Sequence, residues 1–405
     1  MTARWLRWMP AAAVPVVIAA VVLAAPLQAA APVKLPAKTA EQLVALVAGN
    51  DVNALSGTLE QTVALGLPQL PDVGSGKSQA PSSSGGTGTS ITDLVGLLTA
   101  PHTARIYLDG SANERVQILD TLAERDVVRH GNTVWTYDSA TNSATMLTLA
   151  AGEVPYATAP HMVHPGAAGT DTTPKATPVP SAGANPLTPA QLTPAQLAAK
   201  FLANLDPSTE VSVGPNTRVA GRSAYDLVLA PRTTATLVGK VSIAVDAATG
   251  LPLKVTVQAR GSDAAAFQVA FSQITLAAPP ASTFNFSPPA GAVITRQTLP
   301  ATGPVAKGEM KKLPGILPAP GTTPAAPAPP KLTTTGTGWS AIVEAPAGTV
   351  PSNLATSPQL AELLQSVPGG HALETTLFTA LITPDGRLYA GAVPLAALQA
   401  AAAGK

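Results

Sequence analysis

The feature that most constrains this chain is apolar alternation with a period of two. Val241, Ile243 and Val245 alternate with Ser242, Ala244 and Asp246; after Ala247-Ala248-Thr249-Gly250, Leu253, Val255 and Val257 alternate with Lys254, Thr256 and Gln258. Successive side chains of an extended strand point to opposite sides, so the pattern predicts a β-hairpin with one apolar face. The next run sets Phe267, Val269 and Phe271 on one parity and Ile274 and Leu276 on the other, a change that a bulge near Ser272-Gln273 would absorb. Further strands are predicted at 54–64, 103–108, 114–120, 124–129, 133–137, 144–149, 210–212 and 224–229, with turns at Asp109-Gly110 and Gly131-Asn132.

Helices are few. Thr39 opens a capped segment to about Ala48, Ser90 one ending near Ala100, and Thr193-Pro194 one that runs through Leu197, Phe201 and Leu205. Three stretches rich in Pro, Gly, Ser and Thr lack any apolar period: insertions at 71–90 and 157–185, and a Pro-rich linker at 303–332. The sequence thus divides into a large domain at 32–302 and a small α+β unit at 333–405. In the small unit a strand is predicted at 339–344, a helix at 357–365, a hairpin over 374–382 and 387–393, and a terminal helix at 394–403. A unit of that size is marginal alone, which predicts that it docks on the large sheet. Residues 1–31 have Arg4 and Arg7 before an apolar run and small residues at its end, the form of an export signal; an uncleaved anchor is the alternative.

Composition narrows function. Lys and Arg number 24 against 23 Asp and Glu, a formal net charge of +1, so there is no cationic excess for nucleic acid. The absence of cysteine removes disulfides, thiol nucleophiles, thiolate-bound zinc and lipidation of a cysteine at the chain's own N-terminus. Gly74-Ser75-Gly76-Lys77-Ser78 resembles the end of a phosphate-binding loop, but Pro71 stands where the first glycine belongs and no buried strand precedes it. His161 and His164 lie in a Pro-rich stretch that offers no scaffold for a metal. Glu114, Asp120, Glu124 and Asp126 with Arg115, Arg125 and Arg129 alternate in sign and read as a solvated sheet edge. No set of residues points to catalysis, and no cofactor is called for. What remains is apolar surface: either the strand faces form a closed core, or their surplus lines a cavity.

Several segments resemble the LolA/LolB/LppX-like lipoprotein-sorting superfamily. They are Gly131-Asn-Thr-Val-Trp135-Thr-Tyr137-Asp138 with the following apolar strand, Val219-Ala-Gly-Arg222-Ser-Ala-Tyr225-Asp-Leu227, Leu229-Ala-Pro-Arg232, Val245-Asp246 with Gly250-Leu-Pro252, Phe284-Asn-Phe286-Ser-Pro-Pro-Ala-Gly-Ala292, and Leu55 to Thr62 as a first long strand. The resemblance implies a mainly antiparallel half-open β-barrel with a few helices over an apolar concave side that shields acyl chains from water. The residues it suggests for that lining are Leu59, Val63, Leu108, Ile118, Trp135, Leu147, Leu227, Val241, Ile243, Val255, Val269 and Phe271. Periodicity leaves the inward parity open, because a one-residue slip turns every side chain over. The two-domain layout also resembles the MucB/RseB regulators of membrane anti-sigma factors, and sporulation-associated relatives share the superfamily. Two functions are therefore expected as alternatives for an exported bacterial protein of the periplasm or cell envelope, secreted or membrane-attached. One is binding of lipid or lipoprotein acyl chains; the other is regulation of a membrane protein through 333–405.

Overall fold

The computed structural model describes residues 33–66, 101–119, 123–149, 193–298, 332–348 and 364–404. The proposed export signal, the insertions 71–90 and 157–185, the helix expected from Ser90, the linker up to 331, the glycine-rich Gly74–Ser78 and the pair His161 and His164 lie outside the described residues.

The described residues form two sheets. The first has twelve strands in the order β12-β6-β5-β4-β3-β2-β1-β11-β10-β9-β8-β7 and stays open, with β12 and β7 at its edges. Its strands are β1 (Ala54–Val63), β2 (His102–Asp109), β3 (Asn113–Leu119), β4 (Glu124–His130), β5 (Thr133–Asp138), β6 (Ser143–Thr148), β7 (Thr209–Val219), β8 (Arg222–Pro231), β9 (Val238–Asp246), β10 (Pro252–Ala259), β11 (Ala265–Thr275) and β12 (Val293–Thr298). All neighbours are antiparallel except β12, which runs parallel to β6. This is the mainly antiparallel, unclosed sheet that a half-open barrel requires. The register shift falls where the sequence places it: Leu59 opposes Phe271 and Thr58 opposes Gln273, so Ser272 is the extra residue.

Local chemistry sets the helices. In α1 (Ala40–Ala48) the Thr39 side chain accepts from Gln42 N–H while the Gln42 side chain accepts from Thr39 N–H; α2 (Pro194–Ala203) repeats this box with Thr193 and Gln196 and has Pro194 in its first turn. Each box satisfies two otherwise orphaned N–H donors. Leu43 and Val47 of α1, and Ala198 of α2 with Phe201 and Leu202 beside it, pack with Leu227, Ile243 and Val255. We call the face they cover the inner face. Here α1 contacts β7 and β8, and α2 contacts β10 and β11.

β7 is far longer than the segment expected at 210–212. The sequence Gly214-Pro215-Asn216 reads as a breaker, but β7 is an edge strand and takes up the irregularity as a shift of pairing between Gly214 and Thr217. At an edge, proline has no ladder bond to withhold.

The second sheet has the order β13-β14-β18-β17-β16-β15. It comprises β13 (Thr333–Thr335), β14 (Ile342–Ala345), β15 (Gln365–Val367), β16 (Gly370–Glu374), β17 (Thr379–Ile382) and β18 (Leu388–Gly391), and α3 (Leu395–Ala403) packs on it through Leu398. The strand expected at 339–344 starts later: Gly338–Ser340 is a 3-10 turn, and Trp339 lies in it. Gln365, expected to end a helix, begins β15. This α+β unit docks on the first sheet. The Ala392 carbonyl accepts from the Leu237 N–H at 2.8 Å and from Thr236 Oγ1 at 2.7 Å.

Candidate functional site

The inner face can be followed from strand to strand by the pairing. Leu227 opposes Ile243 and Leu229 opposes Val241 between β8 and β9; Val255 opposes Ile243 and Val257 opposes Val241 between β9 and β10; Val269 and Phe267 continue these rows onto β11. Across the next pair Leu59 meets Phe271 and Val63 meets Phe267, and β2 adds Ala104, Ile106 and Leu108. Glu114, Val116 and Ile118 follow on β3, and Arg125, Val127 and Arg129 on β4. Val134 and Leu147 close the row on β5 and β6.

Of the lining residues named from the sequence, Leu59, Val63, Leu108, Ile118, Leu147, Leu227, Val241, Ile243, Val255, Val269 and Phe271 therefore share this face. They are not equally covered. Leu227, Val241, Ile243 and Val255 are fully buried, at 0% exposure, in the cluster sealed by α1 and α2. Leu59, Ile118, Val269 and Phe271 are buried in a neighbouring cluster with Ile106 and Val116. Val63, Leu108 and Leu147 are half-buried. The face is thus buried from β8 to Ile106, Val116 and Ile118 of β2 and β3, and only half-buried at Val63, Leu108 and Leu147.

Trp135 lies on the opposite face, because it opposes Val128 and Met146 instead of the inner row. There its ring lies 5.6 Å from Phe286, which also lies 5.8 Å from Tyr137. The segment carrying Phe286 crosses β3–β5 and buries Phe284 to 2% exposure.

The charged cluster of β3 and β4 is not the solvated edge that alternating signs suggest. The pleat divides it between the faces. On the outer side Arg115 is bidentate to Asp126, at 3.2 Å from Nε and 2.6 Å from Nη2, and its Nη1 donates to the Thr283 carbonyl at 3.1 Å. The Asp126 side chain is only 2% exposed; burial raises its pKa, and the Arg115 bonds oppose that rise. On the inner side Glu114 opposes Arg129. The Arg129 guanidinium donates to the carbonyls of Ser111 at 2.7 Å and Gly131 at 3.1 Å, which fixes it across two turns. Burial pushes the Glu114 carboxyl up to about 7, with the Arg129 charge pulling the other way. The sequence places these charges near one another but cannot sort them by face, since that needs the register; Asp120 of the same group lies outside the described residues.

No three His, Asp or Glu side chains come together as metal ligands among the described residues. No described helix is long and apolar enough to cross a membrane.

The sequence matches no family model and no curated protein. Among solved structures it is similar to MucB in the Pseudomonas aeruginosa MucA/MucB complex, at 16% identity over 90% of this chain and 96% of that one, with a TM-score of 0.39. It is also similar to an uncharacterised conserved protein of Thermus thermophilus, at 11% identity over 64% of this chain and 99% of that one, TM-score 0.31. A LolA superfamily protein from Nitrosomonas europaea follows at 10% identity over 62% and 99%, TM-score 0.21.

Proposed function

We propose that the chain binds the acyl chains of a lipoprotein or lipid on the inner face of its large sheet, outside the cytoplasm, as a carrier or lipid sensor without catalysis, and that residues 1–31 direct its export or anchor it. The observation that best supports this reading is the continuity of one apolar face from β8 to β3, which stays only half-buried at Val63 and Leu108. The half-buried Val63 of β1, Leu108 of β2, Val134 of β5 and Leu147 of β6 offer apolar contact. Each acyl CH2 removed from water contributes about 0.8 kcal/mol, so a chain of ordinary length gains from even partial cover. Between Leu108 and Val134 the row is interrupted by Glu114 and Arg129, a polar pair suited to a ligand whose apolar tail carries a polar head.

Native mass spectrometry with lipid extraction, on protein purified from its own host's envelope, tests this. A stoichiometric lipid or acylated peptide is expected, lost in Leu108→Asp and Leu147→Asp with the circular dichroism spectrum retained. A folded protein that carries no lipid and takes up none offered to it overturns the reading.

A second reading, contact of residues 333–405 with a membrane protein, draws on Leu332 and Val343, which are 62% and 39% exposed. Leu332 precedes Thr333, which pairs with Glu344, and Val343 itself pairs with Thr334 across β13 and β14. Cross-linking from position 343 in envelope preparations to an anti-sigma factor is the expected result for that reading.

A further inference from the structure

Helix α2 packs onto the sheet through Ala198, which is fully buried. One turn further along the same stripe Phe201 meets the C-terminal unit, its ring stacked on Trp339 with centroids 6.2 Å apart and planes 17° from parallel. The indole N–H donates to Thr209 Oγ1 at 2.8 Å, which ties the same tryptophan to the first residue of β7.

The backbone approach at this point is close. Gly338 has φ +55°, and a Cβ there would lie 2.7 Å from Asp206 Oδ2 and 2.9 Å from Ser208 Oγ. Only glycine delivers Trp339 to this place without strain. Other polar links between the two units among the described residues, Ala392 with Leu237 and Thr236, and Thr376 with Leu65 at 3.0 Å and Ala64 at 3.2 Å, use backbone carbonyls as their acceptors. An aromatic ring that is both stacked and hydrogen-bonded has the qualities of an anchor.

We propose that Trp339 is a latch, through which the C-terminal unit holds α2 down on the inner face, and that displacing this unit releases the helix. A partner that engages the C-terminal unit would thereby loosen the cover of the sheet without touching it.

Hydrogen exchange on the full chain tests the latch. In Trp339→Ala the amides of 197–204 are expected to exchange about tenfold faster while those of β8 and β9 keep their rates. Phe201→Ala should do the same, and the double variant should add little to either. Thr209→Val keeps the stacking and loses the indole hydrogen bond, together with the 3.5 Å bond from Thr209 Oγ1 to Asp206, so it should give a smaller increase. Faster exchange confined to 332–404, or spread evenly over both sheets, overturns the proposal. Uptake of the apolar probe N-phenyl-1-naphthylamine is read on the same samples. A freed α2 with no uptake leaves the latch standing and counts against the ligand reading instead.

Discussion

Trp135 and Phe286 meet with ring centroids 5.6 Å apart on the side of the sheet away from the helices. The contact joins two segments that resemblance picks out separately, the Trp-x-Tyr-Asp strand and the Phe-x-Phe segment before β12. It accounts for both aromatics as packing. Phe286→Ala should lower stability by about 2–4 kcal/mol, less than a fully buried aromatic would cost because both rings are half-buried. Urea denaturation checks this, and the lipid content of the folded variant should stay at the wild-type level.

Arg115 and Asp126 fasten the same crossing segment by charge. Asp126→Ala would leave the guanidinium held at the Thr283 carbonyl without its counter-ion. Removing one partner of a buried ion pair typically costs about 3–5 kcal/mol. The loss should be visible as a lower thermal midpoint, with protease sensitivity rising first at 281–292. Replacing both Arg115 and Asp126 with apolar residues should recover part of it.

Glu114 makes a prediction about pH. Its folded pKa of about 7 lies above the ordinary 4.5 because burial disfavours the charged carboxylate. Its contribution to stability is therefore full below 4.5 and is lost as pH rises through 7, at most roughly 3 kcal/mol. Asp246 works in the opposite sense. Burial raises its pKa, but bonds from Arg222 and Thr249 outweigh that and hold it below the usual value, so its contribution is lost only in acid. Unfolding by urea at pH 5 and pH 8 checks this, and comparison with Glu114→Gln separates it from Asp126 and Asp226, whose carboxyls burial also raises: the wild type should be more stable at pH 5, and Glu114→Gln should reduce the difference.

Local signals were legible in the sequence and non-local ones were not. The capping boxes at Thr39 and Thr193, the β9–β10 hairpin and the bulge at Ser272 depend on neighbours within a few residues, and their chemistry is written there. The strands β12, β13, β15 and β16 were not found. β13 and β15 have three residues each, β12 pairs in parallel with a strand far earlier in the chain, and none of the four alternates clearly. The assignment of faces is non-local too. Trp135 has the same period as its neighbours, and only the pairing of β4, β5 and β6 turns it away from Val134 and Leu147. The partners of Trp339 were equally invisible, since nothing near it in sequence names Phe201 or Thr209.

Gly250 shows how one turn positions a helix on the site. It closes the β9–β10 hairpin at φ +76°, and a Cβ there would lie 2.1 Å from the Leu46 carbonyl oxygen of α1. Asp246 holds the turn from the other side, its carboxylate accepting from Thr249 N–H at 2.9 Å and Thr249 Oγ1 at 2.7 Å. The turn cannot relax away from the helix without breaking these bonds. Gly250→Ala therefore adds left-handed strain of about 1–3 kcal/mol to a backbone collision that only a shift of α1 can relieve. The expected outcome is a lower thermal midpoint with faster amide exchange in 43–48, where Leu43 and Val47 seal the inner face. An unchanged midpoint would mean that α1 sits loosely on the turn, and then the closed core over β7–β9 would not depend on it.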